Sequence, residues 1–229
     1  VGIQADSFYL IFFLFIIPIQ TSIHHYYMAG FPLLLGTSIN YIEISDFLIK
    51  KKYNIIYADP PWHFQNWNNE NAQTNPDKHY PTMTMKDIEN LPIGDIADKD
   101  CVLFMWCTDP LLHKQIPLVE KWGFEYKTVG FTWVKTNKNR LKNYYFKGPG
   151  YWTRANTETC ILATKGKPKR VGANVDRLVV EERREHSRKP DRIRNDIVKL
   201  CGDLPRIELF ARTSMPGWDV WGNQVDKFN

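Results

Sequence analysis

Short apolar runs of strand length alternate with amphipathic, capped stretches from about Lys51 onward, and this alternation predicts an α/β fold on a mostly parallel sheet covered on both faces. Three observations carry that prediction. The run Tyr53-Asn54-Ile55-Ile56-Tyr57-Ala58 is aromatic and β-branched, with its charges confined upstream to Lys50, Lys51 and Lys52, as a doubly buried strand requires. Asp59-Pro60-Pro61-Trp62 follows at once, and two prolines force the chain out of the sheet, so the aspartate falls at a strand's carboxyl end. The stretch from Lys51 to the last residue holds about 180 of the 229 residues, enough for one domain with a full core and hardly enough for two.

In chain order, further strands are predicted at Cys101 to Cys107, Val129 to Lys135, Thr159 to Thr164 and Ile207 to Phe210, with a short one at Asp219 to Trp221. Helices are predicted at Thr84 to Asn90, at Pro110 to Trp122 between an Asp109 cap and Gly123, and at Pro190 to Cys201 before Gly202. Pro117 is expected to bend or split the second helix. No Gly-x-Gly-x-x-Gly occurs, which removes a nicotinamide dinucleotide reading. Four cysteines lack a Cys-x-x-Cys pair, and His63 and His79 have no ligand-like partner nearby, so no metal site is expected and the thiols read as core residues of a reducing, cytoplasmic setting.

Residues 1–50 differ in kind. From Ser7 to Ile42 there is no formal charge, and Phe8 to Ile19 is an apolar run of twelve residues. A membrane span needs about 20, a signal peptide wants a positive start, and Pro18 and Pro32 interrupt any long helix. The expectation is an apolar leader or an upstream extension outside the domain of residues 51–229, with a membrane anchor the least favoured reading.

The acidic turn suits one chemistry in particular. An aryl amine is a poor nucleophile because its lone pair is delocalised into the ring. A carboxylate and a backbone carbonyl accepting its two N–H bonds favour a nitrogen with a localised lone pair, so no strong base is needed. Asp59 would act as that acceptor, Pro60 would lend its carbonyl, Pro61 would stiffen the turn, and Trp62 would stack on a base. Standing alone, a strand-ending Asp-Pro is also an ordinary turn signal.

Other segments extend the pattern. Tyr80-Pro81-Thr82-Met83, Cys101-Val102-Leu103-Phe104-Met105-Trp106, Trp122-Gly123-Phe124, Trp133-Val134-Lys135, Gly148-Pro149-Gly150-Tyr151-Trp152-Thr153-Arg154, His186-Ser187-Arg188-Lys189-Pro190-Asp191, Glu208-Leu209-Phe210-Ala211-Arg212 and Gly222-Asn223-Gln224 follow in order. With Asp59-Pro60-Pro61-Trp62 they resemble the family of the 70 kDa messenger-RNA N6-adenosine methyltransferase subunit, whose bacterial and phage relatives methylate adenine in DNA. The resemblance runs from about Lys51 to Asn223 and implies a Rossmann-like, S-adenosylmethionine-dependent fold. Its acidic motif precedes its cofactor motif, as in the circularly permuted class of DNA amino-methyltransferases. It places S-adenosylmethionine beside Asp59 and Lys189, with Phe210, Arg212, Asn223 and Gln224 around the ribose and adenine, and His186 and Ser187 near the substrate. Read without it, Pro190 starts a helix that His186 and Ser187 cap, Lys189 is solvated and Phe210 is core. Ser214-Met215 depart from the His-Asn of the messenger-RNA enzyme, and that withdraws the contact expected there.

Charge points to the partner. The net charge is +5, and no acidic residue occurs between Glu125 and Glu158, where Lys127, Lys135, Lys138, Arg140, Lys142, Lys147 and Arg154 interleave with Tyr144, Tyr145, Phe146, Tyr151 and Trp152. Such a mixture grips a phosphate backbone and stacks on bases, although a solvated hairpin with core aromatics has the same composition. A second basic run, Lys165 to Arg170, is expected to extend the footprint. The loop His63 to His79 reads as a lid, with Trp62 and Tyr80 sandwiching a base taken out of its stack. The expected substrate is therefore N6 of adenine in DNA, in a restriction–modification or phage setting, with RNA adenosine second and a non-catalytic nucleic-acid-binding subunit third. A homodimer or a related partner subunit fits the resemblance.

Overall fold

The first strand forms as predicted: β1 (Tyr53–Ala58) is buried along nearly its whole length. The computed structural model describes residues 51–63, 82–138, 144–150 and 152–228, all within one unit spanning residues 40–229. The expected lid over 64–79 lies outside the described residues, as do Tyr80, Arg140, Lys142 and Tyr151.

After β1 come α1 (Met85–Glu89), α2 (Ile93–Ile96), β2 (Ala97–Cys107), a 3-10 turn (Asp109–Leu111), α3 (Leu112–Lys121), β3 (Glu125–Thr136), β4 (Thr157–Lys165), β5 (Leu178–Glu182), α4 (Arg192–Cys201), β6 (Arg206–Leu209) and β7 (Asp219–Trp221). Thr84 caps α1 in a capping box with Asp87. Pro110 stands in the 3-10 turn, and Pro117 is accommodated inside the ten-residue α3, so the expected helix divides near its start rather than at Pro117. Asp191 occupies the N-cap of α4, which moves the predicted start from Pro190 to Arg192. Neither α2 nor β5 was anticipated, and β2 and β3 begin four residues earlier than expected.

The seven strands lie in the order β5-β3-β4-β2-β1-β6-β7. β1 pairs parallel with β2 and β6, β6 with β7, and β3 with β5, whereas β4 runs antiparallel between β2 and β3. One core lies under α1, α2 and α3, with Ile56, Leu103, Met105 and Ile161 meeting Ile88, Ile96, Leu118 and Val119. A second lies under α4, with Ile55, Tyr57, Phe104, Trp106 and Phe131 meeting Ile193 and Ile197. Helices therefore cover both faces, as a largely parallel sheet demands. All four cysteines are unpaired and buried. Among the described residues no helix is long and apolar enough to cross a membrane.

Candidate active site

Strand direction decides which residues meet. β1, β2, β3, β5, β6 and β7 deliver their carboxyl ends to one edge of the sheet, and the antiparallel β4 delivers its amino end there. Thr159 pairs with Cys107 at the end of β2, so Glu158 stands at the same edge as Asp59, the residue that leaves β1, with β2 between them. This edge is where open α/β sheets bind ligands.

The turn after β1 is fastened from several sides. Asp59 N–H donates to Leu209 O at 3.4 Å, Trp62 N–H to Pro60 O at 2.9 Å and Met83 N–H to Pro61 O at 2.9 Å. The Trp62-to-Pro60 bond closes a three-residue turn around Pro61, whose fixed φ suits it. One lone pair of the Pro60 carbonyl is thus occupied and one remains. Trp62 itself is 6% exposed and donates its Nε1–H to Trp106 O at 3.0 Å. Its ring packs in the core cluster with Met83 and Ile88.

Lys189 lies against the acidic turn. Its Nζ donates to both Asp59 carboxylate oxygens at 2.8 Å, stands 3.3 Å from Glu158 Oε2, and lies 5.5 Å from the centre of the Trp106 ring. Lys135 continues the series at 2.5 Å from Glu158 Oε1. Four charges of alternating sign, Asp59, Lys189, Glu158 and Lys135, therefore run across β1, β4 and β3. Burial alone would raise the Glu158 carboxyl, but the ammonium groups of Lys189 and Lys135 outweigh it and hold it at about 2. Lys135, expected to face phosphates, is spent inside this series.

Beside it is a cleft lined by Tyr57, Asp59, Ser187, Lys189, Phe210 and Arg212 among others. Ser187 and Phe210 both adopt left-handed backbone, with φ of 63° and 61°, the only non-glycine residues to do so among those described. Such conformations cost about 1–3 kcal/mol each and persist where a site requires them. Ser187 is the third residue of a turn closed by Arg188 N–H on Glu185 O at 3.1 Å, and so it does not cap α4. Phe210, bent at the end of β6, sets its ring edge-on to Trp221 at 5.2 Å. Arg212 donates from Nη1 to the carbonyl of the exposed His186 at 3.1 Å.

The cleft's back wall is ionic. Arg194 forks onto Glu208 at 2.5 and 2.8 Å, and Arg184, Arg188 and Arg194 converge on Asp191 at 2.5, 3.1 and 3.2 Å. Among the described residues, Arg188 Nε is buried without a hydrogen-bond partner. Asn223 is exposed and Gln224 accepts from Lys227 at 3.2 Å; neither lines the cleft, and Phe228, folded back through its N–H onto Arg212 O at 3.1 Å, does.

The basic segment divides. Lys138 lines a separate depression with Asn137, Glu182, Arg183, Arg184 and Glu185. Lys147, Trp152 and Arg154 are exposed in the connection before β4. Lys165 to Arg170 follow the far end of β4, and Lys165 Nζ donates to Gly94 O at 2.9 Å. Nine residues of extended chain put that run about 30 Å from the site edge, at the opposite end of β4. Glu158 escaped the sequence reading because only antiparallel pairing brings it to Asp59; its one signal was that it ends the acid-free segment.

A mostly parallel sheet with a proline-locked acidic turn at its carboxyl edge and a cationic cleft beside it defines a Rossmann-like methyltransferase. Comparison with known proteins is specific. A family model described as MT-A70 matches residues 53–224. The type II methyltransferase M.MunI of a Mycoplasma species is 37% identical over 208 residues, covering 83% of this chain and 85% of that protein. The human N(6)-adenosine-methyltransferase catalytic subunit METTL3 is 31% identical over 199 residues, 85% of this chain and 31% of that protein. The N(6)-adenosine-methyltransferase MT-A70-like protein of Drosophila melanogaster is 30% identical over 189 residues, 81% of this chain and 29% of that protein. The chain belongs to the MT-A70 family, a family of S-adenosylmethionine-dependent methyltransferases.

The donor set fits that cofactor. The Lys189 ammonium and the Arg188 guanidinium, with its orphaned buried Nε, suit a carboxylate; Arg212 and Ser187 suit hydroxyls; Phe210 and Phe228 offer apolar ring surface.

Proposed function

We propose that this chain transfers a methyl group from S-adenosylmethionine to N6 of adenine in DNA, and that residues 51–229 form the catalytic domain, with residues 1–50 outside it. The observation that carries the reading is Asp59, held at the sheet's carboxyl edge by Lys189 and by a turn with three backbone anchors. DNA is favoured over RNA because the chain is 37% identical to the Mycoplasma type II methyltransferase and 31% identical to the human N(6)-adenosine enzyme. Four buried, unpaired thiols suit a reducing compartment such as the cytoplasm.

S-adenosylmethionine supplies an electrophilic methyl group; Lys189, Arg188, Ser187, Phe210 and Arg212 hold it in this reading. Lys189 engages one lone pair on each Asp59 oxygen, leaving others to accept an N–H of the adenine amine. The remaining lone pair of Pro60 O accepts the second N–H. The two acceptors fix the nitrogen in line for transfer, and positioning then supplies much of the rate. The proton shed by the amine after transfer passes through the Asp59 hydrogen bond to water.

The test is incubation of the purified full chain with isotopically labelled S-adenosylmethionine and, separately, duplex DNA, single-stranded DNA and RNA, read by nucleoside mass spectrometry. Labelled N6-methyladenine in DNA is expected. Product in RNA alone would replace the reading by RNA adenosine methylation. Cofactor binding without any product would replace it by a silent nucleic-acid-binding subunit or one that needs a partner.

A further inference from the structure

Trp152 is 100% exposed, and among the described residues it has no hydrogen-bond or ring partner. Exposed in this way, the indole presents its whole ring face, a large rigid surface on which a base can stack. The described residues on either side of it are pinned to one another. Gly148 N–H donates to Ala155 O at 2.7 Å, and the two residues form a β-bridge. A Cβ on Gly150 would fall 1.9 Å from Thr153 O, and one on Gly148 would fall 2.8 Å from Ala155 O, so both positions admit only glycine without rearrangement. The loop's stem is tied to the site. Lys135 N–H donates to Asn156 O at 2.9 Å and Phe146 N–H to Lys135 O at 2.9 Å, while the Lys135 side chain ends the charge series that begins at Asp59.

Trp152 lies six positions before Glu158, a span of at most about 20 Å, so the indole stands within reach of the nucleotides that neighbour one seated at Asp59. Lys147 and Arg154, both exposed, flank it, and no acidic residue lies between Glu125 and Glu158. That charge fits a polyanion. An adenine paired inside a duplex cannot reach an acceptor at the sheet edge; it has to leave the stack, and apolar or aromatic wedges are what fill or prise such a gap.

Building on the adenine-N6 reading, we propose that the substrate is duplex nucleic acid and that Trp152 is the wedge, entering the base stack beside the extruded adenine while Lys147 and Arg154 hold the backbone. Trp152 would then be a positioning residue: it favours extrusion without touching the reacting nitrogen.

The full chain, as wild type, Trp152→Ala, Trp152→Phe and Gly150→Ala, would be assayed on a plasmid and on the same plasmid after heat denaturation, with duplex affinity measured in parallel. Because Trp152 is fully exposed, its replacement should leave the melting temperature unchanged. Trp152→Ala is expected to lower the duplex rate by about 5- to 100-fold, at least fivefold more than the rate on denatured strands, with Trp152→Phe between and Gly150→Ala following Trp152→Ala. Where the wild type uses only duplex, the expected pattern is a loss of rate with affinity within about threefold of wild type. Equal losses on both forms, parallel losses of rate and affinity, or an unaffected duplex rate would each overturn the wedge. Unaffected methylation with an altered oligomeric state would assign Trp152 to a protein interface instead. A wild type that modifies no nucleic acid would overturn the adenine-N6 reading itself, before any variant is compared.

Discussion

Asp59 has a role that its size and hydrogen-bonding alone can test. Asp59→Ala removes the acceptor while β1 and the proline turn stay anchored through backbone bonds, so transfer should fall by at least about 10²–10³-fold with cofactor binding largely kept. Methyl incorporation and calorimetric titration of S-adenosylmethionine would check it. Glu158 gives a different readout. Its folded-state pKa of about 2 lies below its ordinary value of 4.5, so its contribution to stability is complete above pH about 4.5 and is lost as pH falls toward 2. The difference is worth on the order of 3 kcal/mol at neutral pH. Glu158→Gln should flatten the acid limb of the stability profile between those limits, measured by urea midpoint against pH. Unchanged acid sensitivity would show that the Lys189 and Lys135 contacts are energetically idle.

Among elements, α4 and β6 are joined by the Arg194–Glu208 fork, both side chains being only 8% exposed. Breaking a buried pair from one side leaves an uncompensated charge, so Glu208→Ala should destabilise the chain by about 3–5 kcal/mol, seen as a lower urea midpoint with an unchanged slope. Replacing both partners with apolar residues should cost less. The elements also show what could be read beforehand. β1 and β7 were legible to the residue, because apolar runs bounded by Pro-Pro or by glycine leave little latitude. β5 was not, since Leu178 and Val180 face outward, Val179 alone is buried, and two glutamates follow. α2 is four residues with no side-chain cap, too short to show a helical period. The burial of Trp62 was hidden for the opposite reason: its place in an acidic motif drew attention to chemistry rather than to packing.

For the molecule as a whole, the antiparallel β4 mattered most and was least visible. Strand direction is a property of pairing rather than of composition. It brought Glu158 to Asp59, fixed the stem of the Trp152 loop beside both, and carried Lys165 to Arg170 away. The electrostatic footprint that remains should be small. Replacing Lys138, Lys147 and Arg154 by glutamine should weaken nucleic-acid binding and reduce the slope of log affinity against log salt by about 2 to 3, at roughly 0.9 for each phosphate no longer neutralised. A set of binding isotherms across salt concentrations would test it, and an unchanged slope would move the footprint elsewhere.

The buried thiols have a practical side. Burial pushes Cys101 and Cys107 up to about 12 and Cys201 to about 11, and Cys160 rises as well. Buried and held as neutral thiols, they should offer a maleimide almost nothing to attack in the folded chain. A single Thr153→Cys replacement, next to Trp152 and exposed, would therefore take a fluorophore selectively without any native cysteine being removed. Labelling of the native chain under non-denaturing conditions should therefore be negligible, and the approach of its loop to a nucleic acid could be followed by energy transfer in the otherwise unaltered protein.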